Sequence, residues 1–145
     1  KYTLLKENRH SDIVFDWKKM LDFTGDSGPY LQYTYARLKS IEKKAGPPKD
    51  AEVELLEDDT SLHLIRKALE FPYVVQNAAQ NYSVNSITEY LYDLSNLINR
   101  FYESTPIIKE ENEKKRDAYL LLINVMNDIL GEGLKLLGIS TPHKI

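Results

Sequence analysis

The stretch Ile87–Phe101, ITEYLYDLSNLINRF, decides the fold class. Apolar side chains recur along it at intervals of three and four residues, which is the spacing of one face of an α-helix. They are Ile87, Tyr90, Leu91, Leu94, Ile98 and Phe101. A helix with one apolar face must pack that face against a partner, and Pro106 ends the helix soon after the stretch. The stretch therefore predicts an amphipathic helix of about four turns in a helical core.

An earlier helix is predicted to begin at Pro29, because proline is tolerated best in the first turn of a helix. The glycine-containing turn 24–28 precedes this helix, and Gly46-Pro47-Pro48 stops it. Its apolar side chains recur at helical spacing, at Leu31, Tyr35, Leu38 and Ile41. A short helix before the turn is predicted to carry Trp17, Met20 and Leu21.

The next helix is predicted after an acidic connector, Asp50–Asp59, and begins near Thr60 or Ser61. Its apolar side chains are Leu62, Ile65 and Leu69. Pro72 should interrupt this helix, because a proline inside a helix removes a hydrogen bond and clashes with the preceding turn. We expect it to open another short helix that runs to Tyr82.

The last helix is predicted from about Glu111 to Leu137, with Gly138 as its C-terminal cap. Its apolar stripe is Ala118, Leu122, Val125, Ile129 and Leu136. No stretch shows the sustained alternation of apolar and polar residues that is typical of a β-strand. The fold class predicted is therefore all-α, a helical bundle of about five to six helices joined by short loops.

Composition excludes several classes of protein. The 145 residues include no cysteine, so disulfides, thiolate metal sites and cysteine nucleophiles are excluded. No apolar run approaches the roughly 20 residues of a membrane-spanning helix. The net charge of −3 argues against a strong nucleic-acid binder. However, six of the 22 acidic residues lie in Asp50–Asp59. The rest of the chain has 16 acidic and 19 basic residues, so a basic surface is possible although the total charge is negative.

The sequence contains no recognisable active site. The glycines of the turn 24–28 lack the GxxxxGK[ST] context of a phosphate-binding loop, and no GxSxG motif occurs. The three histidines are scattered, and no pair lies at metal-ligand spacing. We therefore assign no catalytic residue and no metal ligand. Because the chain begins with Lys1 and not with methionine, we expect it to be a piece of a longer protein.

The helix that begins at Pro29 carries the best candidate binding face. Tyr30, Tyr33 and Arg37 recur at intervals of three and four residues and so share one face. Two aromatic rings and a guanidinium group, with the amide of Gln32 nearby, can stack on bases and contact phosphates. The segment 99–102, NRFY, is a second candidate at the end of another helix. The same residues also suit a helix–helix contact, and the spacing leaves both interpretations open.

Several segments, taken in order along the chain, resemble one protein family. They are Phe15-Asp16-Trp17, Phe23–Arg37 (FTGDSGPYLQYTYAR), Tyr90–Leu94 (YLYDL), Asn99–Tyr102 (NRFY) and Gly133–Ile139 (GLKLLGI). Together they span essentially the whole chain. They resemble the arginyl-tRNA synthetases, from the junction after the catalytic domain to the end of the C-terminal DALR-type anticodon-binding domain.

This resemblance implies a division of the chain and a function. Residues 1–26 would be the end of the catalytic domain and the junction, and residues 27–145 the anticodon-binding helical domain. Such enzymes join arginine to its tRNA with ATP and Mg, but their HIGH and KMSKS-type motifs are absent from this sequence. We therefore expect the chain to be inactive alone and to need no cofactor of its own. In the family, aromatic residues at the positions of Tyr30 and Tyr102 approach the anticodon loop.

The sequence also departs from the family pattern. The family often ends in methionine near the anticodon, whereas this chain ends in Ile145. The Asp-Ala-Leu-Arg motif survives only in part, as Asp117-Ala118 followed by Tyr119-Leu120, and we transfer no role to it.

The resemblance and the candidate face together predict an RNA-binding surface. Its residues would be Tyr30, Gln32, Tyr33, Arg37, Tyr102 and Ile145. The expected partners are the anticodon stem-loop of arginine tRNA and the catalytic domain of the full-length chain, with no membrane. We expect a cytoplasmic monomer. The alternative is a helical module that docks onto another protein or onto its own catalytic domain.

Overall fold

The computed structural model describes residues 1–10, 12, 16–20 and 25–141. These residues form α-helices and short 3-10 turns, and no β-strand occurs among them. The helices are α1 (Tyr2–Leu5), α2 (Trp17–Met20), α3 (Gly28–Ala45), α4 (Asp59–Asn81), α5 (Val84–Ser104) and α6 (Glu113–Leu136). The 3-10 turns are Val53–Leu55 and Ile107–Lys109. The predicted all-α class is confirmed.

The core lies where α5 packs against α4 and α6, with α3 alongside. The predicted apolar stripe of α5 is confirmed, because all six of its members from Ile87 to Phe101 are buried. Leu91 and Leu94 are fully buried. Gly133 of α6 lies directly against the Leu91 side chain, and a Cβ atom at this glycine would collide with Leu91. The close approach of α5 and α6 therefore needs a residue without a side chain at this position.

The predicted break at Pro72 is wrong, because α4 runs through it without interruption. An interior proline costs a helix about 3 kcal/mol or more, so packing on both sides must offset that cost. Leu64 before it and Ala78 after it are buried in the core, and Phe71 and Val74 pack against the core. The predicted apolar side of α4 is also wrong in part. Leu69 is 68% exposed, and Leu64 takes the central buried position instead.

The buried face of α6 is wider than the predicted stripe. Ala118 and Leu122 are buried as predicted, but Val125 and Leu136 are exposed. The helix contacts α3, α4, α5 and both 3-10 turns, so neighbours surround most of its circumference. Its buried residues also include Tyr119, Ile123, Met126, Leu130 and Leu134. An apolar stripe predicted for one packing partner therefore does not identify all the buried residues of a helix that has several partners.

Asp117, the first residue of the partial Asp-Ala-Leu-Arg motif, holds the acidic connector against α6. Its Oδ2 atom accepts hydrogen bonds from the backbone N–H groups of Lys49, at 2.7 Å, and Asp50, at 3.1 Å. These two hydrogen bonds lower the pKa of the Asp117 carboxyl group. Leu56, at the end of the connector, is buried in the core. The connector is therefore anchored at two places.

The N-terminal residues pack onto the bundle. Sequence periodicity did not predict α1, yet Tyr2 is buried and its hydroxyl group donates to Asp26 Oδ1 at 2.5 Å and lies 3.2 Å from the Thr88 carbonyl oxygen. The short helix predicted around Trp17 and Met20 is present as α2, whereas Leu21 lies outside the described residues.

The predicted domain boundary after residue 26 stays a prediction. Within the described ranges, no helix is long and apolar enough to cross a bilayer.

Candidate nucleic-acid interface

The candidate face begins at the N-terminus of α3. Ser27 caps this helix, because its Oγ atom accepts a hydrogen bond from the backbone N–H of Tyr30 at 3.3 Å. Pro29 occupies the first turn, as predicted. The cap determines where the helix begins, and the helical repeat then places Tyr30, Tyr33 and Arg37 along the side of α3 that borders α5.

Tyr30 lies in the seam between α3 and α5 and is only partly exposed. Its hydroxyl group donates to Asn96 Oδ1 at 2.8 Å and accepts from Asn99 Nδ2 at 2.9 Å. Its ring packs against Tyr92, with centroids 5.8 Å apart and planes tilted by 59°. Tyr30 therefore joins the two helices in addition to any contact that it makes with a ligand.

The guanidinium group of Arg37 lies over the ring of Tyr102, which is near the C-terminus of α5. The guanidinium carbon is 3.7 Å from the ring centroid, a close cation–π contact. Its Nη1 group also donates to Asn99 Oδ1 at 3.1 Å. Tyr102 remains 37% exposed. The two predicted segments, one on α3 and one on α5, therefore meet in a single cation–aromatic pair.

Beside this pair is a cleft of about 230 Å³ that is open to solvent. Tyr33, which is 52% exposed, lines this cleft together with Arg37 and Tyr102. The remaining lining residues are Ala36, Ser40, Ile41, Lys44 and Ile108. The cleft thus combines two exposed aromatic rings, two cationic groups and several apolar side chains. That composition suits a flat unpaired base whose phosphate remains near the cations.

A second open cleft of about 420 Å³ adjoins the first and shares Ile41, Tyr102 and Ile108 with it. It follows the turn that leads from α5 through Pro106 to Lys109. Tyr102 lines both clefts, whereas Arg37 lines only the first. The Tyr102 ring therefore borders both spaces.

Gln32, which was also predicted as a site residue, is not in this cluster. Gln32 does not line either cleft; its Nε2 group donates to the backbone oxygen of Ser140 at 2.8 Å and so holds the segment after α6. The amide that was expected beside the tyrosines is therefore used elsewhere. Ile145 lies outside the described residues. The structure brings together Tyr30, Tyr33, Arg37 and Tyr102.

Sequence reasoning gave no role to Asn96 or Lys44, and it named Asn99 only as part of the candidate segment 99–102. Asn96 and Asn99 both contact the hydroxyl group of Tyr30, and Lys44 lines the first cleft. A signal for the asparagines was present, because Asn96, Asn99 and Tyr102 recur every third residue and so lie near one another on α5. What the sequence does not contain is the information that this side of α5 faces Arg37.

Residues 31–145 match the family described as the DALR anticodon binding domain. The chain belongs to this family. It is 39% identical over 150 residues to the arginine–tRNA ligase of Fusobacterium nucleatum, a match that covers the whole chain and 26% of that ligase. It is 41% identical over 147 residues to the arginine–tRNA ligase of Colwellia psychrerythraea, covering the whole chain and 25% of the ligase.

Solved structures agree with the sequence matches. The arginyl-tRNA synthetase of Thermus thermophilus superposes with a TM-score of 0.91 at 29% identity, over 99% of this chain and 25% of that one. The resemblance to arginyl-tRNA synthetases is therefore confirmed, together with the fold. The chain spans about a quarter of the length of the curated relatives that it matches.

Proposed function

We propose that this anticodon-binding domain binds the anticodon loop of arginine tRNA on the α3–α5 surface, as part of an arginine–tRNA ligase. The observation that carries the proposal is the solvent-facing pair of Arg37 and Tyr102, with Tyr33 and Lys44 beside it in one cleft. Anticodon nucleotides are unpaired and splayed, and such bases are recognised by stacking and by contacts to their edges. Membership of the DALR family supports the same assignment.

The proposed binding mode follows from the geometry of the cleft. An unpaired base stacks on the exposed ring of Tyr33 or Tyr102, and each base–aromatic stack contributes about 1–3 kcal/mol. One guanidinium nitrogen of Arg37 is used by Asn99, so its other N–H groups remain to meet a phosphate or a base edge. Lys44 adds a second cation at the same cleft. Tyr30 supports this surface from the seam.

The names of the relatives suggest the wider role. Because the matched relatives are arginine–tRNA ligases, we propose that the parent enzyme charges arginine tRNA with ATP and Mg, and that the chemistry resides outside these residues. The sequence agrees with this division, since it contains no phosphate-binding motif. We propose a monomeric enzyme of the cytoplasm, which the absence of cysteine fits.

The test is the affinity of the chain for an arginine tRNA transcript and for a non-cognate transcript, each measured over a range of salt concentrations. We expect tighter binding of arginine tRNA, and binding that weakens steeply with salt, because phosphate contacts release counterions. Binding of neither tRNA, or equal binding that Arg37→Ala and Tyr102→Ala leave unchanged, would contradict the proposal. The alternative role, docking onto a protein through the same cleft, predicts little dependence on salt.

A further inference from the structure

Asn99 of α5 is the central residue of a hydrogen-bond network between α3 and α5. Its Oδ1 atom accepts from Arg37 Nη1 at 3.1 Å. Its Nδ2 group donates to the Tyr30 hydroxyl oxygen at 2.9 Å and lies 3.3 Å from Thr34 Oγ1. One amide thus contacts three side chains of α3, and each of these is one turn from the next.

The chemistry of the partners allows only one orientation of this amide. A guanidinium group can only donate, so the oxygen of Asn99 must face Arg37 and its nitrogen must face the other two residues. The Thr34 hydroxyl donates to the Tyr30 backbone oxygen at 3.0 Å, which leaves Thr34 Oγ1 available as an acceptor. The Tyr30 hydroxyl proton goes to Asn96 Oδ1 at 2.8 Å. The Asn99 amide N–H groups and the hydroxyl groups of Tyr30 and Thr34 therefore all have acceptors.

This arrangement determines where Arg37 lies in the free protein. Arginine is a long side chain with many rotamers, and holding it in one of them has an entropic cost that a ligand must otherwise supply. The hydrogen bond to Asn99 and the ring of Tyr102 together favour one position, in which the guanidinium carbon lies over the ring. The cation is thus already in place when an RNA approaches.

We propose that Asn99 is a positioning residue for RNA binding: it holds the Arg37 guanidinium group on Tyr102 before the RNA arrives. Asn99 itself need not touch the RNA. The inference rests on the proposed function, because it assigns to Asn99 the preparation of that same site. A purely structural Asn99 would instead join α3 to α5 with no separate effect on Arg37.

The first experiment examines Arg37 without RNA. The protons at the end of the Arg37 side chain lie over the Tyr102 ring, so its ring current shifts their NMR signals. We expect Asn99→Ala to lose most of that shift. Asn99→Asp should retain it, because an oxygen still accepts from Arg37. Asn81→Ala is the matched control, since the Asn81 side chain hydrogen-bonds to Asn77 within α4, and it should leave the shift unchanged. An unchanged shift in folded Asn99→Ala would overturn the inference.

The second experiment is a double-mutant cycle with the arginine tRNA transcript, comparing Asn99→Ala, Arg37→Ala and the double variant. Circular dichroism and thermal melting select conditions in which every variant is folded. We expect Asn99→Ala to weaken binding about three- to tenfold, the factor for ordering one long side chain. In the Arg37→Ala background the same substitution should weaken binding less than about twofold. A matched comparison is Asn81→Ala, which should weaken binding in neither background.

The outcomes separate the two claims. Suppose that Arg37→Ala weakens binding and that Asn99→Ala weakens it by the same factor with or without Arg37. Asn99 then does not act through Arg37, so the inference is overturned while the proposed function stands. If Arg37→Ala and Tyr102→Ala both leave tRNA affinity unchanged, the proposed function fails and the inference fails with it. Coupled losses of affinity, together with the lost ring-current shift, support both.

Discussion

The two sides of α5 have different chemistry and stabilise the domain in different ways. One side carries Leu91 and Leu94, which are fully buried against the other long helices. The other carries Asn96 and Asn99, which hydrogen-bond to α3, and Tyr102 contacts Arg37 beside them. The free energy gained by burying apolar side chains is roughly proportional to the buried area and depends little on direction. Hydrogen bonds and cation–π contacts, in contrast, require defined positions of both partners. We therefore expect the first side to contribute most to stability and the second side to contribute most to binding.

The largest effect should come from the apolar side. Leu94→Ala removes a fully buried side chain and should lower the free energy of unfolding by about 2–5 kcal/mol, as measured by chemical denaturation. Leu69→Ala on α4 is the matched control, because Leu69 is largely exposed and its loss should change stability by less than about 0.5 kcal/mol. Similar losses for the two variants would mean that the assigned core of α5 is incorrect.

The next effect concerns Tyr102, on the polar side of α5, and Tyr30 of α3, which hydrogen-bonds to that side. Tyr102→Ala should cost about 1–3 kcal/mol of tRNA binding, and Tyr102→Phe should retain most of the affinity because the aromatic face remains. Tyr30→Phe should instead lower stability, because it removes a hydroxyl group that makes hydrogen bonds to both Asn96 and Asn99. Titration with tRNA and thermal melting of both phenylalanine variants provide the comparison. Equal behaviour of the two variants would contradict the distinction between an exposed stacking ring and a seam residue.

A smaller effect is expected on the salt dependence of binding. Arg37→Ala should reduce the slope of log affinity against log salt concentration by about one phosphate contact. Lys135→Ala is the control, because Lys135 lies on α6 and lines neither cleft of the candidate surface. Its removal should change the slope less than the removal of Arg37. A slope unaltered by Arg37→Ala, with weaker binding, would indicate that the guanidinium contacts a base edge and not a phosphate.

The smallest effect should come from the connector, away from both sides of α5. Two backbone hydrogen bonds lower the pKa of Asp117 below its value in the unfolded chain. The stabilisation is therefore complete above the unfolded pKa, near 3.9, and is lost as the pH falls through the lower folded pKa. Asp117→Asn should be less stable than the unsubstituted chain at pH 7, and the difference should narrow below about pH 4. Melting temperatures across this pH range measure the difference in stability. A difference that does not change with pH would mean that the charge of the Asp117 carboxylate is not its cause.

Local sequence determined much of this domain. The spacing of apolar residues in Ile87–Phe101 predicted α5 and its buried side, and the proline and glycine signals around Pro29 and Gly46 predicted both ends of α3. These features depend on the helical repeat and on backbone preferences, which act over a few residues and can be seen in the sequence alone. The quoted motifs also identified the family.

Other features were decided only by tertiary packing. Pro72 lies inside a continuous helix because burial on both sides of it outweighs the local cost, and that burial depends on α5 and α6. The sequence likewise places Arg37 and Tyr102 on two separate helices, and only the packing of α3 beside α5 brings the guanidinium onto the ring. The helical repeat specifies which residues share one side of a helix. It does not specify which neighbour that side meets, because the neighbour is distant in the chain and is selected by packing of the whole core.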